Sequence, residues 1–261
     1  NGLAEIMINQ GYIDKQTADR LEKALGRIIR DERAVSEGGS LAQKQIGGYK
    51  SLRRIGEGGM GEVYLAEQLN MHRLVALKVL HSQWADDEEF RKRFLLEARA
   101  AGKLSHQNLI QVYDVAKYQG KYYFAMEYVD GVTVEDMIDD GGMLSFEKVV
   151  DITLQVCSAL EYLCKNDIVH RDIKPANMLV TKENVVKLGD FGIARLLDTE
   201  DRATTLAGTP HYMSPEALSG DGYDAKSDVW ALGCIVYELC ALKKPFRGSS
   251  LVGVSCLLPS C

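Results

Sequence analysis

The hydrophobic pattern of this chain becomes mostly helical from Thr133 onward, whereas the region from residue 49 to that point is mostly β-rich, with one charged amphipathic helix predicted over residues 88–104. Before that point, short β-rich runs such as residues 63–65 and 74–77 are separated by polar turns. After it, apolar residues recur at helical spacing, most clearly over residues 149–163 and 228–242. Strands that are segregated from helices along a chain are typical of an α+β fold, in which the two kinds of element form separate layers. The sequence therefore predicts a small β-rich lobe followed by a larger α-rich lobe.

The residues outside these two lobes have patterns of their own. Residues 1–35 are predicted to be helical, and Asp14 is the predicted N-cap of an amphipathic run whose apolar stripe contains Leu21, Leu25 and Ile28. This stripe predicts either a docking or self-association element or a helix packed on the small lobe. The predicted organisation is a helical extension (1–35), a Gly/Ser-containing linker (36–48), the β-rich lobe (49–126), the α-rich lobe (127–250) and a tail (251–261).

Composition excludes several classes of protein. Hydrophobic residues make up 46% of the 261 residues and charged residues 26%, which is enough apolar material for a folded core. The formal net charge is −6 and no long Lys/Arg cluster occurs, which argues against nucleic-acid binding. The longest apolar run, residues 231–242, is too short to cross a bilayer and contains Glu238. No signal peptide is visible, although a chain that begins at Asn1 could have lost a targeting segment.

The six cysteines favour reduced thiols over a zinc site, because none of them forms a C-x-x-C pair. Cys157 and Cys164 both lie in a helical pattern, at a spacing that predicts one shared, buried face. Buried, reduced thiols are typical of cytoplasmic proteins, so we expect this location for the chain.

Gly56, Gly58 and Gly61 form a G-x-G-x-x-G string with β-rich residues on both sides. These flanks place the string in a hairpin, whereas a dinucleotide-binding string would open a helix. Without Cβ atoms, the backbone N–H groups of such a hairpin can approach phosphate oxygens. A plain glycine-rich turn is the alternative interpretation of the string on its own. Lys78 ends a following β-rich run, where its ammonium can reach the same phosphates, and Glu97 in the next helix can pair with it.

Residues 170–177, HRDIKPAN, carry three functional groups at fixed offsets. Asp172 can accept a hydroxyl proton, Lys174 can balance charge on a transferring phosphoryl group, and Asn177 can offer a neutral oxygen to Mg²⁺. Asp190 follows a β-rich run and supplies a hard anionic ligand for the same ion. A carboxylate, a cation and an amide oxygen at these offsets favour phosphoryl transfer over an ordinary loop.

With these motifs in this order, the sequence resembles the eukaryotic-type (Hanks-type) serine/threonine protein kinases. The resemblance extends from residue 55 to about residue 246 and rests on the segments GEGGMGEV, VALK, HRDIKPAN, DFG and SPE. It implies a bilobal protein-kinase-like fold with ATP and Mg²⁺ as cofactors. Residues 88–106 resemble bacterial members, whereas residues 227–246 resemble the NIMA-related kinases.

The resemblance assigns a role to each matching residue. The catalytic residues that it implies are Lys78, Glu97, Asp172 and Lys174. The Mg²⁺ ligands that it implies are Asn177 and Asp190. The ATP site that it implies combines the glycine hairpin, the adenine-facing Ala76, the gatekeeper Met126 and the hinge, and consists of Ile55, Gly56, Glu57, Gly58, Gly59, Met60, Gly61, Val63, Ala76, Lys78, Met126, Glu127 and Val129.

The acceptor and a point of control also follow from the resemblance. Lys174 and the segment GTPHYMSPE imply Ser or Thr acceptors and protein substrates. Arg171 implies control by activation-loop phosphorylation, with Thr204 and Thr205 as acceptors, although solvated loop hydroxyls look the same in sequence. The further structural residues that it implies are Thr209, which contacts the catalytic loop, and Arg171, Phe191, Glu216 and Asp228.

The match to the family ends before the family pattern does. Relatives continue with several more helices, whereas residues 251–261 match nothing in the pattern, so we expect an α-rich lobe without its last helices. In the family Glu216 pairs with an Arg of that region, and its carboxylate is therefore expected to be buried without a partner. We expect a less stable large lobe and an exposed apolar face over residues 231–242. Truncation, an alternative splice end and a frameshifted tail are the open explanations.

Three functions are compatible with the motifs. The leading one is Mg·ATP-dependent phosphorylation of Ser or Thr in proteins. The second is a truncated, catalytically impaired fragment that binds nucleotide or a partner without phosphoryl transfer. The third, a small-molecule phosphotransferase, is disfavoured because such enzymes generally lack a segment like GTPHYMSPE.

Overall fold

The computed structural model describes residues 44–58, 61–85, 87–190, 210–220 and 222–246. The predicted helical extension, most of the predicted linker and the predicted tail lie outside the described residues. Within them, a β-sheet precedes a mainly helical part, as the change in hydrophobic pattern predicts. The α+β fold with a small β-rich lobe and a larger α-rich lobe is therefore confirmed.

One antiparallel sheet makes up most of the small lobe. Its strands are β1 Gln45–Ile46, β2 Tyr49–Glu57, β3 Gly61–Gln68, β4 Arg73–Leu80, β5 Val112–Tyr118 and β6 Lys121–Glu127. They lie in the order β1-β2-β3-β4-β6-β5, and two helices, α1 Ser82–Ala85 and α2 Glu88–Ala101, follow β4. β1 falls inside the range predicted as linker, so the sheet starts a few residues before the predicted boundary at residue 49.

The two faces of β4 have different surroundings. Val75 and Leu77 point into a core formed within the curled sheet, together with the fully buried Tyr64. Leu80 points to the opposite face, where Phe94 of α2 packs against it. Because side chains alternate along a strand, Ala76 and Lys78 share the face of Leu80. The alternation therefore turns Lys78 towards the side of the sheet that faces α2.

The large lobe is built around two long helices. Its elements are β7 Gly131–Thr133, α3 Val134–Asp139, α4 Phe146–Lys165, β8 Met178–Thr181, β9 Val186–Leu188, α5 Pro215–Ser219 and α6 Ala225–Ala241. α4 packs against α6 and shares a core with it that includes Ile152, Leu163, Ile235 and Leu239. None of the helices in the described ranges is long and apolar enough to span a bilayer.

The buried residues of α4 recur at helical spacing and are Val149, Ile152, Val156, Ala159 and Leu163. Ser145 caps the helix, since its hydroxyl oxygen accepts the N–H of Lys148. The prediction that Cys157 and Cys164 share a buried face is wrong, because both are exposed. Each cysteine lies one residue beyond a buried position, and one residue corresponds to a rotation of about 100° around a helix.

The small sheet β7-β8-β9 brings two segments of the site together. A 3₁₀ turn over Pro175–Asn177 leads directly into β8, and β9 ends two residues before Asp190. β8 and β9 are antiparallel, with Met178 opposite Leu188. Asn177 and Asp190, the two predicted Mg²⁺ ligands, therefore lie at the same end of this hairpin.

Candidate active site

The described glycines of the string, Gly56, Gly58 and Gly61, lie in a hairpin between β2 and β3, as predicted. Gly56 pairs with Val63, and Gly58 and Gly61 exchange backbone hydrogen bonds of 2.9 and 3.3 Å. A Cβ atom on Gly61 would lie 2.2 Å from the carbonyl oxygen of Val79, so only glycine fits there. By contrast, a Cβ atom on Gly56 would make ordinary contact with Val63, at 3.7 Å. The hairpin thus lies tightly against β4 beside Lys78, which Val63 faces in the sheet.

Lys78 reaches across to the large lobe. Its Nζ atom lies 2.9 Å from Oδ1 of Asp190, and its side chain is only 12% exposed. The Lys78 ammonium lowers the pKa of the Asp190 carboxyl below its ordinary value, because its attraction outweighs the cost of partial burial. The predicted pairing of Lys78 with Glu97 stays a prediction, since the Glu97 side chain lies outside what the structure describes.

The predicted catalytic loop, residues 170–177, holds Asp172, Lys174 and Asn177 in contact. Nζ of Lys174 lies 2.8 Å from Oδ2 of Asp172, and Nδ2 of Asn177 donates to the same oxygen at 2.9 Å. Nδ2 of Asn177 also donates to the backbone oxygen of Asp172 at 2.8 Å. Since the amide nitrogen is used in this way, Oδ1 is the Asn177 atom that can bind a cation.

Asp228 of α6 fixes the backbone just before Asp172, the predicted catalytic residue. Its two oxygens accept the N–H groups of His170 at 2.8 Å and Arg171 at 3.0 Å, and Asp228 is only 3% exposed. Arg171 has a positive φ of 69°, a conformation that needs such support. Tyr223 adds a third hydrogen bond to Asp228, at 2.9 Å. Sequence reasoning missed Tyr223, and no motif marks it.

His170 is fully buried beneath the loop. Its Nδ1 atom accepts the backbone N–H of Asp172 at 3.3 Å. Burial lowers the pKa of His170 below its ordinary value, although the carboxylates of Asp228 and Asp172 oppose this effect. His170 therefore acts as a neutral support for the Asp172 backbone.

The predicted gatekeeper and hinge lie where β6 ends. Met126 pairs with the buried Ala76, and Glu127 pairs with Val75. Met126 and Asp190 line one small cavity between the sheet and the large lobe. Val129, two residues beyond the end of β6, is 9% exposed. The structure therefore brings the predicted adenine edge close to the predicted metal ligand.

The segment around GTPHYMSPE contacts the catalytic loop from the other side. Tyr212 and Met213 line a groove in front of Asp172 and Lys174. The Tyr212 hydroxyl donates to Oε2 of the buried Glu238 at 2.6 Å. Burial and this carboxylate raise the pKa of Tyr212, so the hydroxyl stays protonated and holds the groove on α6.

Glu216 differs from the expectation. It was predicted to be a buried carboxylate without a partner, but it is half-buried and its Oε1 accepts the Ser227 hydroxyl at 2.8 Å. Burial raises the pKa of Glu216, but its own backbone N–H and the hydroxyls of Ser227 and Ser214 outweigh this and lower it. Partial exposure and hydroxyl donors therefore reduce the cost that was expected for burying this carboxylate.

The remaining residues of the predicted site fall partly inside and partly outside the described part of the chain. Ile55 is 37% exposed in β2, next to the described part of the glycine hairpin. The residues that lie outside the described part of the chain are Gly59, Met60, Phe191, Thr204, Thr205 and Thr209.

The donor set suits Mg²⁺ bound together with a nucleotide. The described residues contain no group of three or more His, Cys, Asp or Glu side chains able to hold a metal alone. Asn177 and Asp190 offer an amide oxygen and a carboxylate, the hard donors that Mg²⁺ prefers, and phosphate oxygens and water commonly complete its shell. Lys78 and the close-packed hairpin suit the phosphates themselves.

Known proteins match this geometry. The sequence profile of the protein kinase domain matches residues 49–254. The chain belongs to the protein kinase family. The serine/threonine-protein kinase PknB of Mycolicibacterium smegmatis is 43% identical over 209 residues, and PrkC of Bacillus subtilis is 41% identical over 218 residues. A double mutant of the PknI kinase domain of Mycobacterium tuberculosis has a TM-score of 0.64 at 32% identity, and the match covers 79% of each chain.

These matches confirm the resemblance to the Hanks-type serine/threonine kinases. They cover 77% of this protein kinase chain for PknB and 82% for PrkC. The chain spans about a third of the length of these two relatives, with 33% and 34% of them covered.

Proposed function

We propose that this kinase domain transfers the γ-phosphoryl group of ATP to Ser or Thr hydroxyls of proteins. The observation that carries the proposal is the contact among Asp172, Lys174 and Asn177, with Lys78 and Asp190 paired at the neighbouring chain segment. Two cations, two carboxylates and an amide oxygen converge there, which is the set of charges that phosphoryl transfer requires.

Each residue has a task in this proposal. Asp172 accepts a hydrogen bond from the acceptor hydroxyl and orients it, while Lys174 limits the negative charge around it. Asn177 and Asp190 would hold Mg²⁺, which neutralises phosphate charge when bound. Lys78 is near enough to Asp190 to contact the same phosphates. Catalysis by these residues is positioning and electrostatic stabilisation, with no covalent enzyme intermediate.

The groove in front of Asp172 supports a protein acceptor. Tyr212 and Met213 form part of it, and Tyr212 is anchored by its hydrogen bond to Glu238. A peptide in this groove would present a side-chain hydroxyl to Asp172. The choice of Ser or Thr over Tyr rests on Lys174 and the segment GTPHYMSPE, as the resemblance implies. Phosphorylation of Thr204 or Thr205 would supply a negative charge that Arg171 can bind, which is the control that we propose.

Transfer of labelled phosphate from ATP to dephosphorylated casein tests this function. We expect phosphoserine and phosphothreonine in the acid hydrolysate with the wild-type chain, and none with Asp172→Asn. Asp151→Asn, which changes an exposed aspartate of α4, is the matched control and should retain wild-type transfer. Phosphotyrosine as the main product, or full activity in Asp172→Asn, would overturn the proposal.

A further inference from the structure

One strong ion pair of the molecule lies outside the catalytic loop. Nζ of Lys187 lies 2.8 Å from Oε1 of Glu127 and 3.0 Å from Oε2, so it contacts both carboxylate oxygens. The two side chains are 17% and 24% exposed, whereas those of the pair formed by Lys182 and Asp130 are 73% and 66% exposed. A pair shielded from water in this way has a larger electrostatic interaction than one on the surface.

This ion pair joins the two lobes. Glu127 is the last residue of β6 in the small lobe, and Lys187 is the middle residue of β9 in the large lobe. The flanking residues of β9, Val186 and Leu188, are fully buried, so β9 itself is held firmly in the core. The Glu127 carboxylate is thus attached to a strand of the other lobe whose neighbouring side chains are buried.

A third chain segment meets the same carboxylate. The N–H of Gln111 donates to Oε2 of Glu127 at 3.3 Å, and the N–H of Glu127 donates to the Gln111 backbone oxygen at 2.8 Å. The neighbouring Ile110 N–H donates to the backbone oxygen of Leu188 at 2.9 Å. Residues 110–111 are therefore bound both to the end of β6 and to β9, which makes the junction three-sided.

The junction lies between two parts of the proposed nucleotide site. The backbone of Glu127 lies at the predicted adenine edge, and Lys187 lies three residues before Asp190. A rotation of one lobe against the other would change the distance between these two parts. An ion pair across the junction restricts this rotation, since its geometry is lost when either strand moves.

We propose that Glu127 and Lys187 act as positioning residues, whose ion pair holds the hinge and the Asp190 strand in the spacing that Mg·ATP requires. The importance of this ion pair for phosphoryl transfer rests on the proposed function. Its effect on the binding of Mg·ATP does not, and can be measured separately. The side chains would act through the backbone positions of the hinge and of Asp190, not by contact with the nucleotide.

Nucleotide affinity tests the proposal without any need for phosphoryl transfer. The dissociation constant of a fluorescent ATP analogue with Mg²⁺ would be measured for Lys187→Met, Glu127→Gln and the double variant. We expect each single change to weaken binding by about five-fold, and the double change to weaken it no more than either one, because both remove the same interaction. Lys187→Arg keeps the charge and should restore affinity to within about two-fold of the wild type.

Lys182→Met is the matched control, because it breaks the exposed pair with Asp130 just after β8. It should leave affinity unchanged. Melting temperatures recorded alongside would detect variants that fail to fold. If Lys187→Met does not fold, the affinities of Lys187→Arg and Lys187→Gln would be compared instead, since the first keeps the charge and the second removes it. Unchanged affinity in the single variants, or losses that simply add in the double variant, would overturn the proposal. If the variants show the expected pattern of dissociation constants but the wild-type chain transfers no phosphate, the proposed function is refuted and the positioning role of the ion pair stands.

Discussion

Asn177 joins Asp172 to the segment that contains Asp190, through its side chain and its backbone respectively. Its backbone oxygen accepts the N–H of Gly189 at 3.0 Å, and its Nδ2 atom donates to Asp172 at 2.9 Å. Gly189 directly precedes Asp190, so a single residue fixes the loop that carries Asp172 against the segment that carries Asp190. This arrangement brings the proposed proton acceptor and the proposed metal ligand into one site.

Replacing Asn177 with Ala should reduce kcat for phosphoryl transfer by about 100- to 1000-fold, the usual loss when one electrostatic stabiliser of a transition state is removed. The variant lacks both the cation-binding oxygen and the hydrogen bond that orients Asp172. A Mg²⁺ titration at saturating ATP should also need more Mg²⁺ to reach half of the remaining rate. Asn184→Gly, in the turn before β9, is the control and should behave as wild type. A loss below ten-fold in Asn177→Ala would contradict the assignment.

Replacing Asp228 with Ala should destabilise the large lobe more than any change at Tyr223. The change leaves the backbone N–H groups of His170 and Arg171 without their acceptor, and each unsatisfied buried group costs about 1–3 kcal/mol. Tyr223→Phe removes one hydrogen bond to the same carboxylate and should cost about 1 kcal/mol. Urea unfolding of both variants measures the difference. Equal losses would mean that Asp228 does not support the loop.

The free energy of unfolding should fall as the pH drops below about 6.5, in part because of His170. Burial lowers the pKa of His170 in the folded state, so the unfolded chain takes up the proton first as the solution becomes acidic. This contribution to stability is complete above pH 6.5 and declines below it, by up to about 1.4 kcal/mol per pH unit for one proton, until the folded pKa is reached.

Urea titrations at pH 7.5, 6.5 and 5.5 on the wild type and His170→Phe would measure this slope. The variant should lose less stability between pH 6.5 and 5.5 than the wild type, whatever its stability at pH 7.5. Identical slopes in the two proteins would show that His170 does not contribute.

The glycines of the hairpin should not be equally sensitive to alanine. Gly61→Ala places a Cβ atom against the backbone of Val79, which cannot rotate away, and overpacking of this kind costs about 1–3 kcal/mol. We also expect weaker Mg·ATP binding, because β4 carries Lys78. Gly48→Ala has nothing within 4 Å of its Cβ atom and serves as the control for both measurements. Wild-type stability and ATP affinity in Gly61→Ala would show that the hairpin tolerates a side chain.

The sequence was sufficient for the parts of the site that consist of short motifs. The hairpin, the catalytic loop and Asp190 follow from residue types at fixed offsets, because local spacing determines which groups can meet. Contacts between distant segments could not be predicted in the same way. Nothing in the spacing of Glu127 and Lys187, or of Tyr212 and Glu238, indicates that the fold brings them within hydrogen-bond distance.

Two wrong expectations have physical reasons. Cys157 and Cys164 have the right period for a buried face but the wrong phase, because the apolar stripe of α4 passes through Val156 and Leu163 instead. The expectation for Glu216 considered only the Arg that pairs with it in the family. In the structure, the hydroxyl of Ser227 in α6 donates a hydrogen bond to its carboxylate. Helical phase and local hydroxyl donors both depend on how the helices pack, which period alone does not specify.

The intact mass of the purified chain before and after Mg·ATP, with melting temperatures recorded in parallel, tests the central claim most directly. We expect whole phosphate increments in the wild type and in Asp151→Asn, none in Asp172→Asn, and a higher melting temperature with Mg·ATP in all three. A wild-type chain whose melting temperature rises with Mg·ATP, but which gains no phosphate and modifies no protein acceptor, would contradict the account and show a nucleotide-binding domain without phosphoryl transfer.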